Sequence, residues 1–140
     1  MEIGVDIVEI RRIEKACRRN RFLNRFFSER ELGIIGYSAS FYPRIAGRFA
    51  AKEAVAKALG TGFRYFRWRD IEILNDPDGR PRVVLSGKAE EFLKSKGLEK
   101  VLVSISHGRD YAVAFAVALG GAEVESDKPL RHEGSGQESH

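Results

Sequence analysis

Apolar and small or polar side chains alternate along the first stretch of the chain. Ile3, Val5 and Ile7 fall on one side of an extended backbone, and Gly4, Asp6 and Val8 on the other. This period of two predicts a strand whose faces are both largely apolar. From Glu9 the period lengthens: Ile10, Ile13, Ala16 and Cys17 recur at helical spacing, with Arg11, Arg12, Lys15, Arg18 and Arg19 on the remaining surface. A basic amphipathic helix is predicted there. Ser28-Glu29-Arg30-Glu31 has the form of a capping box, predicting a short helix from Glu29 toward Tyr37, and Ser38 to Pro43 reads as a loop.

The next helix is expected to begin near Arg44 to Gly47 and to stop at Gly60, a residue suited to a left-handed helix end. Ala51, Ala54, Val55 and Ala58 share one side of it. Glu53 and Lys57 lie one turn apart on roughly the other, with Arg48 and Lys52 expected nearby. Asp70 to Leu74 and Arg82 to Leu85 read as a hairpin joined by a turn rich in Asn, Asp, Pro and Gly. A helix over Lys88 to Lys96 burying Ala89, Phe92 and Leu93 follows, then strands over Lys100 to Ser106 and Tyr111 to Leu119.

Composition narrows the class. The chain has 140 residues, 43% hydrophobic and 31% charged, which suits one folded domain and excludes a disordered chain. No apolar run reaches the 18 residues of a membrane span and no apolar signal core follows the N-terminus, so a cytoplasmic location is expected. One cysteine, Cys17, excludes an internal disulfide and a multi-cysteine metal site. Residues 1–120 carry 22 Lys or Arg against 15 Asp or Glu, a net +7 that implies an acidic partner or a phosphate-bearing ligand. Residues 121–140 read as a flexible C-terminal tail.

Several positions admit two readings. Asp6, inside an apolar strand, needs either a cationic or backbone partner or a metal ion. Glu53 and Lys57 make either a surface ion pair or part of a site. Together, Asp6 and Glu53 are two carboxylates of the kind that hold magnesium, if the fold brings them close. Lys57, with Arg48 and His107 as further donors, then suits phosphate. Gly60-Thr61-Gly62 serves equally as a helix stop or as backbone facing phosphate oxygens. Seven Lys or Arg between Arg11 and Arg25, with one acid, make either a solvated face or a docking surface for an acidic protein or nucleic acid.

The ordered blocks Gly4-Val5-Asp6-Ile7-Val8-Glu9-Ile10, Gly47-Arg48-Phe49-Ala50-Ala51-Lys52-Glu53-Ala54 and Lys57-Ala58-Leu59-Gly60-Thr61-Gly62 resemble the holo-acyl-carrier-protein synthase family of phosphopantetheinyl transferases. Asp70-Ile71-Glu72-Ile73, Gly79-Arg80-Pro81 and Val103-Ser104-Ile105-Ser106-His107 extend the resemblance, which covers essentially residues 3–119. It implies a single α+β domain over residues 1–120, with a largely antiparallel sheet packed against helices. It also implies magnesium-dependent transfer of 4'-phosphopantetheine from coenzyme A to a serine of apo acyl carrier protein, for fatty acid biosynthesis. Carried onto this sequence, Asp6 and Glu53 become metal ligands, and Lys57 joins them as a catalytic group. Arg48, Lys57, Gly60, Gly62, Pro81 and His107 become coenzyme A contacts, and Glu53 the candidate acceptor of the serine proton. Acyl carrier proteins are acidic, which assigns the basic helix to docking through Arg12, Arg18, Arg21 and Phe22. The short members of the family are homotrimers with sites between subunits; neither a nucleic acid nor a membrane is an expected partner. The competing class is a nucleic-acid-binding module built on the basic helix and its aromatic neighbours.

Overall fold

The computed structural model describes residues 1–60 and 62–122, so all but the first two residues of the predicted tail lie outside the described part. Its elements are β1 (Glu2–Glu9), α1 (Ile10–Cys17), α2 (Phe22–Phe26), α3 (Glu29–Ile35), α4 (Phe41–Leu59), a 3-10 turn (Trp68–Asp70), β2 (Ile71–Asn75), β3 (Pro81–Leu85), α5 (Gly87–Ser95), β4 (Leu98–His107) and β5 (Tyr111–Gly120). The architecture is the expected α+β arrangement. β1, β5 and β4 form an antiparallel sheet in that order, and β2 and β3 a separate antiparallel hairpin.

Of the boundaries that differ from the sequence reading, two bear on the packing of α4 and the hairpin. α4 starts at Phe41, absorbing most of the predicted loop, because Pro43 stands third in the helix, where a missing N–H costs no intrahelical bond. The capping box at Ser28 forms as predicted: Ser28 Oγ accepts from the Glu31 N–H at 3.2 Å, and the Ser28 N–H donates to Glu31 Oε1 at 2.9 Å. Asp70, predicted to open a strand, closes the 3-10 turn instead, its carboxylate accepting from the Arg67 N–H at 3.1 Å.

Packing of α4 on the sheet is small against small. Ala112, Ala114, Ala116 and Ala118 of β5 are almost fully buried, and their register partners across β1 include Gly4 and Asp6. On the helix, Ala50, Ala51, Ala54 and Ala58 are equally buried. With so few side-chain atoms between them, the backbones come close. A Cβ at Gly4 would stand 2.1 Å from the Ala54 carbonyl oxygen and 2.7 Å from the Ala58 nitrogen. Glycine is therefore required at Gly4 for space.

The far side of α4 is covered by α3, the 3-10 turn and β2. Here the grouping of Lys52 with the Glu53 and Lys57 face fails: Lys52 is fully buried and pairs at 2.7 Å with Glu31, which is equally buried. The reason is that α4 is enclosed on nearly every side, so a stripe expected to face water instead meets a second layer. The opposite face of the sheet has no such cover. Ile3, Val5 and Ile7 of β1 are 59%, 51% and 61% exposed, beside Val113 and Phe115 of β5 and Leu102 of β4.

Gly4→Ala is expected to cost at least about 3 kcal/mol, because a Cβ at that point meets helix backbone and no rotamer relieves it. Urea unfolding measures this, and a variant as stable as the parent would show that β1 and α4 do not approach in this way.

Candidate active site

The approach at Gly4 fixes what lies one strand period further along, at Asp6. Lys57, on the exposed side of α4, reaches across to β1, its Nζ 3.1 Å from Asp6 Oδ1 and donating to the Val5 carbonyl at 3.0 Å. The i,i+4 partner offered by the sequence, Glu53, is thus not the group Lys57 binds. Asp6 instead has the cationic partner that a half-buried carboxylate requires.

Glu53 is half-buried beside this pair. Burial first, and the negative charge of Asp6 second, push its carboxyl above the ordinary glutamate range, while Lys57 pulls the other way. Two carboxylates therefore face one ammonium. Oxygen donors in excess of local positive charge fit a hard divalent cation, with water and a ligand's phosphate completing the shell. Among the described residues no third acidic, histidine or cysteine side chain joins them.

Arg48 lies on a different face of α4, 9% exposed. Its Nη2 donates to Asn75 Oδ1 at 2.8 Å, and its buried Nε finds no partner among the described residues. Burial, then the charge of Arg44, lowers its pKa from the usual guanidinium value. A buried cation with no carboxylate bonded to it and a spare donor suits an anion. Asn75 faces Pro81 across the hairpin, so Arg48 and Pro81 belong to one cluster. His107 is exposed at the end of β4, on the opposite edge of the sheet from β1. Gly60 ends α4 with φ of 94° and Gly62 follows at 63°, both left-handed.

The structure thus unites Asp6, Glu53 and Lys57, places Arg48 and Pro81 in a second cluster through Asn75, and sets His107 apart from both. Sequence reasoning missed Asn75, for which a turn-rich stretch carries no signal. It also missed Phe49, one turn before Glu53. Phe49 stacks on Phe22 (ring centroids 6.0 Å apart) and on Trp68 (4.9 Å), linking the basic helical region to the helix of Glu53. Gly4 did carry a signal, since an isolated glycine in a strand marks close backbone approach.

On the docking side, Arg12 is exposed on α1 and Arg18 at its C-terminal cap, Arg18 making a 3.4 Å ion pair with Glu14. Arg21, with φ of 73°, turns the chain into α2. Phe22 is half-buried, and with Phe26, Arg19, Arg21 and Arg25 it lines an open depression of about 800 Å³. Burial pushes the Cys17 thiol up to about 11, which keeps it protonated at neutral pH.

A strand carboxylate set against a helix carboxylate and lysine, with a buried arginine on the same helix that has a spare donor, suits a ligand that carries phosphate. The chain belongs to the 4'-phosphopantetheinyl transferase superfamily, whose family model matches residues 2–116. It is 46% identical to the holo-[acyl-carrier-protein] synthase of Caldanaerobacter subterraneus subsp. tengcongensis over 120 residues, 85% of this chain and 94% of that protein. Among solved structures, the Neisseria meningitidis holo-[acyl-carrier-protein] synthase superposes with a TM-score of 0.76 at 35% identity, covering 84% of this chain and 96% of that one. The Helicobacter pylori enzyme in complex with coenzyme A does so with a TM-score of 0.74 at 37% identity, covering 83% and 98%. Membership of this family selects the transferase over the nucleic-acid-binding reading of the basic helix.

The raised carboxyl of Glu53 sets the sign of a pH effect. The folded, ligand-free chain holds that proton more tightly than the unfolded chain. The contribution of Glu53 to stability therefore falls as pH rises through the ordinary glutamate range up to its folded pKa. Glu53→Gln is expected to raise the melting temperature at neutral pH, by under about 1 kcal/mol in stability because the site is open to water. At pH 4 the gain should vanish; a variant less stable than the parent at pH 7 would contradict this account of Glu53.

Proposed function

We propose that this chain transfers the 4'-phosphopantetheine group of coenzyme A to a serine of apo acyl carrier protein, using magnesium held by Asp6 and Glu53. The observation that carries the reading is the pair of carboxylates brought together by the β1 and α4 contact, with Lys57 beside them. The serine oxygen attacks the phosphorus that carries pantetheine, its bond to adenosine 3',5'-bisphosphate breaks, and the products are holo carrier protein and that nucleotide. Glu53, directly or through water, accepts the serine proton. A magnesium ion at the two carboxylates supplies positive charge against the pyrophosphate. Lys57, held beside Asp6, adds an ammonium for phosphate, and Arg48, Gly60, Gly62, Pro81 and His107 complete the coenzyme A contacts.

Docking falls to Arg12, Arg18, Arg21 and Phe22, whose charge matches an acidic carrier protein. Phe22 stacks on Phe49, one turn before Glu53, and this contact supports assigning the serine-bearing partner to that surface. We assign the uncovered sheet face, with Ile3, Val5, Ile7 and Phe115, to contact between copies of the chain in a homotrimer. Such an assembly accounts for the separation of His107 and Arg48 from Asp6, because neighbouring subunits can supply the two halves of one site. No helix among the described residues is long and apolar enough to cross a membrane. A cytoplasmic setting and service to fatty acid synthesis complete the proposal.

Intact-mass measurement of apo acyl carrier protein mixed with coenzyme A and magnesium is expected to show one added phosphopantetheine. Asp6→Ala and Glu53→Ala should each reduce the rate by at least about 100-fold. No mass gain with several bacterial carriers would overturn the reading. For the assembly, light scattering should give three chains per particle, and Val5→Asp should yield smaller particles with little activity; a fully active monomer would exclude shared sites.

A further inference from the structure

The β2 and β3 hairpin is not hydrogen-bonded into the three-stranded sheet, yet it carries Asn75 and Pro81. Ile71 and Ile73 pack it into the core with α4, and its free edge is fixed by polar groups. On the side of β2 away from β3, the Ile73 N–H donates to Glu31 Oε2 at 2.8 Å, and the Ile71 carbonyl accepts from Lys52 Nζ at 2.6 Å. Lys52 Nζ also donates to the Trp68 carbonyl at 3.0 Å and meets Glu31 Oε1 at 2.7 Å. The same Oε1 accepts from the Ser28 N–H, so the carboxylate receives three donors and the ammonium finds three acceptors. Neither side chain reaches solvent.

A buried ion pair is not a stability device in itself, since apolar residues of similar volume often serve as well. Here, however, apolar replacements would strand backbone groups of β2 and α3 without partners. The pair does for β2 what a neighbouring strand would do. Between Ile71 and Ile73, Glu72 is held from the solvent side by Ser28 Oγ and by both arms of the Arg30 guanidinium. The hairpin in turn sets Asn75, the hydrogen-bonding partner of the Arg48 side chain.

We infer that Glu31 and Lys52 are positioning residues for coenzyme A: by replacing the missing strand they fix the hairpin, and through Asn75 the Arg48 guanidinium, independently of the Asp6 and Glu53 pair. The inference rests on the reading of Arg48 as a coenzyme A contact. Neither residue touches the coenzyme; both act through the hairpin. Damage to the pair is therefore felt in coenzyme binding, while the chemistry at the carboxylates is spared.

The test measures KM and directly titrated Kd for coenzyme A, kcat at saturating coenzyme A, and Mn²⁺ affinity. Lys52→Met is expected to raise KM and Kd at least about tenfold, to lower kcat by less than about threefold, and to leave Mn²⁺ affinity unchanged. Adding Glu31→Gln should recover part of the loss, because it removes the stranded charge while its amide oxygen still accepts from Ile73. Arg30→Ala, at an exposed side chain, keeps the question open to test if Lys52→Met does not fold, and should raise KM about two- to threefold. Folded variants with the parent KM, or a fall in kcat at constant KM, would overturn the inference. Arg48→Ala separates the two levels. A raised KM there alone leaves the coenzyme reading standing without the positioning role; an unchanged KM removes both.

Discussion

The approach of β1 to α4 at Gly4, where any side chain would lie 2.1 Å from a helix carbonyl oxygen, is the constraint on which the rest of the molecule depends. It is made possible by alanines on both surfaces, and it offers little apolar area per residue in return. What it yields is geometry. A strand held this near a helix puts Asp6 within reach of Lys57, and sets the charge of Asp6 against Glu53. Two carboxylates in mutual repulsion are unfavourable for the empty protein and favourable for one that binds a cation.

From this contact the molecule divides into two halves that α4 joins. One half is the sheet side, with the carboxylates and lysine. The other is the hairpin side, where a buried ion pair stands in for a strand and Asn75 orients Arg48. A helix enclosed between the layers holds both in register, and its left-handed end at Gly60 leads out of the core. Among the described residues, the apolar outer face of the sheet is a large surface to which this division gives no intramolecular role. The proposed contact between copies of the chain would give it one.

Much of this was legible in the sequence, for reasons that differ by residue. Period-two and helical spacing located every strand and the longer helices, because burial on one face leaves a direct imprint on pattern. The capping box at Ser28 was readable since its chemistry is local. Lys52 was not, because the same charged residue pattern describes a face in water and a face against another layer; only the position of α3 and β2 decides. The start of α4 was missed because Pro43 marks a loop or a first helical turn equally well. Asp6 and Glu53 could be nominated by residue type, but their meeting depends on Gly4, whose close approach is a tertiary fact. Asn75 and Phe49 act through neighbours distant in the chain and leave no local trace.

The central claim, that the β1 and α4 contact builds a cation site from Asp6 and Glu53, is tested most directly by paramagnetic resonance titration with Mn²⁺ in the presence of coenzyme A. The account predicts one ion bound per chain, lost when Asp6→Asn and Glu53→Gln are combined. Retention of that ion by the double variant, or its absence from the parent, would contradict it.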